Sequence, residues 1–269
     1  MKKYDVIVIG GGHAGVESAA ASARRGANTL LLTMRESDIG AMSCNPSIGG
    51  PGKSQMVSEI AAFGGVMPRS ADSSGIHWRT LNATHGAATQ ALRAQIDRNF
   101  YHDNVMKILN NTKNLTVKFE PVIDLDLKNK IVNGTYSGIS IILTTGTFLG
   151  GMVTRGNEKI ASGRLMDNGE YQENDSHISK VLRDSGFELL RLKTGTPARI
   201  FRDSIDFSVC EEQPGDTPHD WFGLGDKNNN YNDKCYITHT NETTHEIIRK
   251  NIKNAPMYNG DIQGLGPRY

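Results

Sequence analysis

The run Tyr4-Asp5-Val6-Ile7-Val8-Ile9 leading into Gly10-Gly11-Gly12-His13-Ala14-Gly15 constrains this chain more than any other feature. A short apolar run that ends in a glycine turn has the length of a buried parallel strand. Gly10, Gly12 and Gly15 stand at the spacing G-x-G-x-x-G. In that pattern the first glycine makes the tight turn, and the second lets a pyrophosphate approach the backbone. The third lets the next helix pack on the strand with its N-terminus facing negative charge. Val16, Ala19, Ala20 and Ala23 then recur at helical spacing, Gly26 takes the place of a C′ residue, and Thr29-Leu30-Leu31-Leu32-Thr33 reads as a second strand. The expected fold class is therefore α/β, with a Rossmann-type parallel sheet covered by helices. The acidic residue that such units place after the second strand to bind ribose is missing from Thr33-Met34-Arg35, which leaves Glu36 as a displaced substitute.

Downstream, Met42-Ser43-Cys44-Asn45-Pro46-Ser47-Ile48-Gly49-Gly50-Pro51-Gly52-Lys53 has the chemistry of a second ligand loop. Gly49, Gly50 and Gly52 permit close backbone approach, and Pro46 and Pro51 stiffen the path. A loop of this kind after a dinucleotide fingerprint points to a flavoprotein. Cys44 has two readings: a thiol activated by nearby amides as nucleophile or redox group, or a small packing residue facing the cofactor.

With 269 residues the chain has room for one large α/β domain, or one domain and part of another. Its 30 basic and 29 acidic side chains give a formal charge of +1, so composition alone favours neither nucleic acid nor membrane as partner. Three cysteines, Cys44, Cys210 and Cys235, without C-x-x-C spacing argue against a zinc site and a disulfide framework. A reducing cytoplasm fits best. No apolar stretch approaches the roughly 20 residues of a spanning helix, and the N-terminal apolar run is a strand rather than a signal peptide.

Gln55 to Phe63 and Thr89 to Leu109 read as helices, the second with Leu92, Ile96, Phe100, Val105 and Ile108 on its apolar face. Leu115 to Phe119, Val122 to Leu127 and Ile139 to Phe148 read as strands, and a helix near Ser176 to Ser185 precedes a strand near Phe187 to Leu192. Thr194-Gly195-Thr196-Pro197 marks a boundary, Asp226 to Asp233 is a polar loop, and Thr243-Thr244-His245-Glu246 is a capping box opening a helix with Ile247, Ile248 and Ile252 on one side.

Other tempting sites carry less. Gly52-Lys53-Ser54 matches the end of a P-loop, but Ser47 replaces its leading glycine and no strand precedes it. His239 and His245 have no third ligand beside them, so no metal site is expected. His77-Trp78-Arg79 and Trp221-Phe222 read as packing residues, and Cys210 and Cys235 as structural.

An ordered series of motifs resembles the MnmG (GidA) family: Gly10 to Gly15, Met42 to Gly50, Thr145 to Leu149, Leu192 to Pro197, Ile205 to Val209, Cys235 to Asn241 and Gly266 to Tyr269. The resemblance implies an FAD-binding domain over 1–197 and an inserted NADH-related domain over 198–269. It implies FAD contacts from Gly10, Gly11, Gly12, His13, Ala14, Gly15, Glu36, Asn45, Gly49, Gly50, Val122, Thr145, Gly146 and Ser179. Gly266, Pro267, Arg268 and Tyr269 would belong to the NADH region, and Cys44 would be catalytic. Members of the family install the carboxymethylaminomethyl group on uridine 34 of certain tRNAs. They use FAD, NADH and methylenetetrahydrofolate as one-carbon donor, work with the GTPase MnmE, and tend to form homodimers.

The family continues from Gly266-Pro267-Arg268-Tyr269 into a second catalytic cysteine, a further FAD segment and a helical domain. Asn133 to Gly138 is also shorter than the family's hairpin there. The expectation is an N-terminal fragment or truncated member, with a separate C-terminal fragment as a candidate partner. The alternatives are a stand-alone FAD and NADH oxidoreductase, and a non-catalytic remnant.

Overall fold

A computed structural model of the chain describes residues 1–43, 45–146, 149–156, 158–162, 169–171, 177–193, 195, 197–198, 200–216, 222–223, 233–262 and 264. It divides into two compact units, residues 1–146 with 214–234, and residues 147–213 with 235–269.

The elements of the first unit are β1 (Lys2–Ile9), α1 (His13–Arg24), β2 (Thr29–Thr33), β3 (Ser47–Gly49), α2 (Ser54–Ala62), α3 (Val66–Ser74), β4 (Gly75–Leu81), β5 (Ala91–Ile96), α4 (Arg98–Asn110), β6 (Leu115–Phe119), β7 (Leu125–Asp126), β8 (Ile131–Val132) and β9 (Tyr136–Leu143). Six strands form one sheet in the order β6-β2-β1-β9-β8-β7, of which the first four run parallel. Ile7, Val8 and Ile9 at the end of β1 and all of β2 are buried, as strands covered on both faces must be. Ile9 pairs with Leu32 on one side and Leu143 on the other, so β1, β2 and β9 finish level. That alignment puts the chain's glycine turn at the carboxyl edge, where the strand order reverses between β1 and β9.

The helix α1 packs on β1 and β2 through Val16, Ala19, Ala20 and Ala23, all buried. Its end closes with Gly26 N–H donating to the Ala23 carbonyl and Ala27 N–H to that of Ser22, the bonds of a Schellman-type cap. A second sheet, antiparallel in the order β3-β5-β4, turns Ile48, Ala94 and Trp78 into the same core. The outer edge of β4 is covered by the returning residues Asp216 and Asp233. Asp216 N–H donates to the Trp78 carbonyl at 2.8 Å, Thr80 N–H donates to the Asp216 carboxylate at 2.6 Å, and Asp233 N–H donates to the Ile76 carbonyl at 3.0 Å. Covering an edge in this way removes a row of unpaired backbone groups.

One expected helix is two elements. Residues 91–96 form β5, and α4 begins at Arg98 because Asp97 caps it, its carboxylate accepting from Asn99 N–H and Phe100 N–H at 3.0 Å each. Leu92, Ala94 and Ile96 alternate with Arg93 and Gln95, the period of a strand, and Leu92 and Ile96 also sit four apart, which mimics a helix. The buried face of α4 is Tyr101, Val105 and Leu109, while Phe100 is largely exposed. The strand expected over Val122 to Leu127 shrinks to Leu125–Asp126, because the Asn133 side chain takes Ile123 N–H and Asp124 N–H away from any ladder. The helix α3 and strand β4 had no distinct periodic signal.

The second unit holds two antiparallel pairs, β10 (Met152–Arg155) with β11 (Glu158–Ala161) and β12 (Glu211–Gln213) with β13 (Cys235–Ile237), and the helices α5 (His177–Asp184) and α6 (Glu242–Asn251). No strand forms at residues 187–191, where Phe187, Leu189 and Leu190 are exposed. The cap of α6 is Asn241, whose side chain accepts from Thr244 N–H, rather than Thr243. Asn is a preferred cap, and starting earlier brings Glu242 into the first turn, where it suits the helix dipole. Ile247, Ile248 and Ile252 are exposed. Among the described residues no helix is long and apolar enough to cross a membrane.

Within the first unit, Glu17 of α1 joins two helices through backbone donors. Its carboxylate accepts from Val66 N–H at 3.1 Å and Met67 N–H at 2.6 Å, two of the orphan amides at the start of α3. Glu17→Ala leaves both unsatisfied and is expected to lower stability by about 1–2 kcal/mol. Urea unfolding of the two proteins side by side measures this, and an unchanged midpoint would contradict the capping role.

Candidate functional site

The β1–α1 turn is held shut from three sides. A side chain at Gly15 would overlap the Gly10 carbonyl oxygen, and one at Gly10, where φ is +107°, would sit 2.5 Å from the Thr144 carbonyl oxygen. A β-carbon at Gly11 would lie 2.8 Å from the Ile39 side chain and from the Thr33 hydroxyl. Thr144, just past β9, donates its hydroxyl to the carbonyls of Ile9 at 2.9 Å and Gly10 at 3.0 Å, and its N–H to Ile9 at 2.8 Å. Gly40 N–H donates to the Gly11 carbonyl at 2.8 Å. These bonds fix the turn against β2 and β9.

The one side left open is the ligand side. A β-carbon at Gly12 would meet nothing within 4 Å, and Gly12 is the N-cap residue of α1. No side chain caps this helix, and its first turn carries no acidic residue. Uncapped amides with a positive dipole end make an anion site, and the steric pattern of closed, open and closed glycines fits a pyrophosphate. The residues present therefore fit a dinucleotide.

Behind the turn, His13 is the first residue of α1 and its ring lies 5.8 Å from that of buried Tyr101. Its Nε2 is buried without a hydrogen-bond partner among the described residues. Burial holds the imidazole below its ordinary range, so it stays neutral, while burial and then the Glu17 carboxylate push the Tyr101 phenol far up. The positive potential at the start of α1 therefore comes from its backbone amides and not from His13.

Ala14 is exposed in the first turn of α1. Thr145 and Gly146 follow Thr144 at the carboxyl end of β9, and Thr145 N lies 3.2 Å from where a Gly10 β-carbon would be. Glu36 is exposed in a short 3₁₀ turn just after β2. Asn45 is exposed before β3, and Gly49 and Gly50 end that strand against β5, where Gly50 N–H donates to the Leu92 carbonyl at 2.8 Å. A side chain at Gly49 would overlap the same carbonyl oxygen. Val122 is buried between β6 and β7. Ser179 lies on α5 in the second unit, buried, with Arg183 donating to its hydroxyl at 3.1 Å. Cys44, Gly266, Pro267, Arg268 and Tyr269 lie outside the described residues. Thr33, Gly40 and Thr144 were not singled out from sequence, although Thr144 adjoins the recognised Thr145-Gly146 pair. Cys210 is a free thiol, and no group of three metal-ligating side chains occurs among the described residues.

Residues 5–269 match the family described as Glucose inhibited division protein A. The chain is 47% identical over 279 residues to the tRNA uridine 5-carboxymethylaminomethyl modification enzyme MnmG of Wolinella succinogenes, a match covering all of this chain and 44% of that protein. Among solved structures it resembles Aquifex aeolicus GidA. In one crystal form the TM-score is 0.85 at 42% identity, covering 100% of this chain and 46% of that one. In the other it is 0.83 at 41% identity, covering 93% and 43%. The chain thus spans less than half the length of these relatives.

Two glycines of the turn should separate binding from folding. Gly12→Ala has room and an ordinary φ of −66°, so thermal stability should hold while the dissociation constant for FAD rises at least tenfold, as followed by flavin fluorescence. Gly15→Ala drives a methyl into the turn and should lower the melting temperature itself. Loss of folding by Gly12→Ala would contradict the open cradle.

His13 gives a pH dependence. Because its folded-state value lies below the ordinary value of about 6.5, the unfolded chain binds the proton more readily. The stability this residue contributes is complete above about pH 6.5 and is lost as pH falls through the lower folded-state value. Between pH 7 and pH 5.5 the wild-type chain should lose more stability than His13→Gln in parallel urea titrations. Equal slopes would remove the assignment.

Proposed function

Because the chain belongs to the Glucose inhibited division protein A family, we propose that it is the flavin-carrying part of an enzyme that modifies uridine 34 of tRNA. The observation that carries this reading is the β1–α1 turn, closed at Gly10 and Gly15, open at Gly12, and placed at the strand-order reversal. The 47% identity to an MnmG enzyme supports tRNA as the substrate class. In this reading residues 1–197 form the FAD domain and 198–269 the start of an inserted domain for NADH.

The chain's own residues supply binding and orientation. Gly10 to Gly15 hold the pyrophosphate with backbone amides of α1, and Glu36 takes the ribose hydroxyls. Asn45, Gly49, Gly50, Val122, Thr145, Gly146 and Ser179 would supply further contacts to FAD. FAD, once bound, supplies the redox chemistry that side chains lack. Cys44 adds to uridine C6, which makes C5 nucleophilic toward a one-carbon unit from methylenetetrahydrofolate. If Cys44 instead only packs beside the ring, the nucleophile comes from elsewhere. Gly266, Pro267, Arg268 and Tyr269 serve the NADH region, MnmE and a homodimeric partner complete the assembly, and the setting is the cytoplasm.

A visible spectrum of the purified chain with added FAD, before and after anaerobic NADH, tests this. Stoichiometric bound flavin that bleaches supports the nucleotide site and the use of NADH. No bound flavin would overturn the reading and favour a non-catalytic remnant. Bleaching that persists in a preparation unable to modify tRNA, even with MnmE supplied, would instead favour a stand-alone oxidoreductase.

A further inference from the structure

Away from the glycine turn, the sheet β3-β5-β4 places two like charges face to face. Arg79 on β4 stands directly opposite Arg93 on β5, and Arg93 stands opposite Gly49 on β3. Ile48, Ala94 and Trp78 are buried on one face of this sheet, so alternation puts Gly49, Arg93 and Arg79 together on the other. Directly opposed like charges destabilise a strand pair. Asp216 relieves only half of it: its carboxylate pairs with Arg79 at 3.1 Å and accepts Thr80 N–H with its other oxygen. Arg93 is half-buried, and its guanidinium has neither a hydrogen bond nor an ion pair among the described residues. Gly49 beside it brings no side chain to cover it.

We propose that Arg93, assisted by Arg79, binds a phosphate group of a ligand. A guanidinium presents a planar fork of donors that matches two phosphate oxygens, and it gives up its hydration more readily than an ammonium. Half-burial strengthens such a pairing relative to open solvent. A phosphate has enough oxygens to meet both guanidiniums, whereas the Asp216 carboxylate is already committed to Arg79 and Thr80. The phosphate belongs either to an RNA backbone or to a small phosphorylated molecule. The site is built from side chains of β4 and β5 rather than from the amides at the start of α1, so any phosphate held by the turn is held equally in Arg93 variants.

The test compares the wild-type chain with Arg93→Gln and Arg93→Met, the latter keeping the apolar stem and standing in should the former not fold. Sodium phosphate against sodium chloride at matched ionic strength should raise the wild-type melting temperature by about 2 °C or more. That response, measured without FAD, should fall by at least half in the variants. An equal phosphate response in wild type and variants, or none in wild type, overturns the proposal. A second arm measures binding of a single-stranded RNA oligonucleotide against salt. A slope reduced by about 1 in the variants assigns the phosphate to RNA, and RNA binding that does not change, with the phosphate response lost, assigns it to a small ligand.

Discussion

Contact between the Gly15 α-carbon and the Gly10 carbonyl is the constraint on which the rest of the first unit depends. With no side chain between them, α1 can descend onto the sheet close enough for Val16, Ala19, Ala20 and Ala23 to pack on β1 and β2. The same closeness aims the helix N-terminus across the end of β1 instead of away from it. Thr144 then ties β9 into the turn by bonding to Ile9 and Gly10, so the three strand ends and the helix start behave as one rigid corner. An anion site built on backbone amides needs such rigidity, since it has no charged side chain to adjust.

The corner is backed by polar groups whose jobs are structural. Glu17 holds the first amides of α3, and its negative charge sits near Tyr101, whose phenol stays protonated. The His13 ring meets that of Tyr101 at an interplanar angle of 48°, and the imidazole remains neutral. The positive potential of the first turn of α1 thus comes from its backbone amides, and the single carboxylate of the helix is turned toward α3. The returning residues do for the second sheet what the turn does for the first: Asp216 and Asp233 seal the edge of β4, and Phe222 packs its ring 5.7 Å from that of Trp78. Asp216 also balances Arg79 and leaves Arg93 as a positive charge on the same face.

Sequence reasoning went astray where local patterns fit two periods or where a distant partner decided the outcome. Leu92 and Ile96 fit a helix and a strand equally, and pairing of Ala91–Ile96 with both β3 and β4 resolved it. The alternation from Val122 to Leu127 reads as a strand, yet Asn133 claims its amides. Residues 187–191 have strand composition without a partner to complete a ladder, and composition alone does not satisfy backbone groups.

The local chain was enough to determine the glycine turn, the small-residue helix after it, the buried strands β1 and β2, and so a Rossmann-type unit with a nucleotide site, because each rests on neighbours within about 30 residues, the span of a βαβ unit. It also carried the family signature from end to end. Only the tertiary structure decided that Thr144 and Gly40 brace the turn, that Glu17 caps a helix 49 residues away, and that Asp216 neutralises Arg79 but not Arg93. Those contacts join residues far apart in sequence, and their energies depend on burial and distance, which no local pattern encodes.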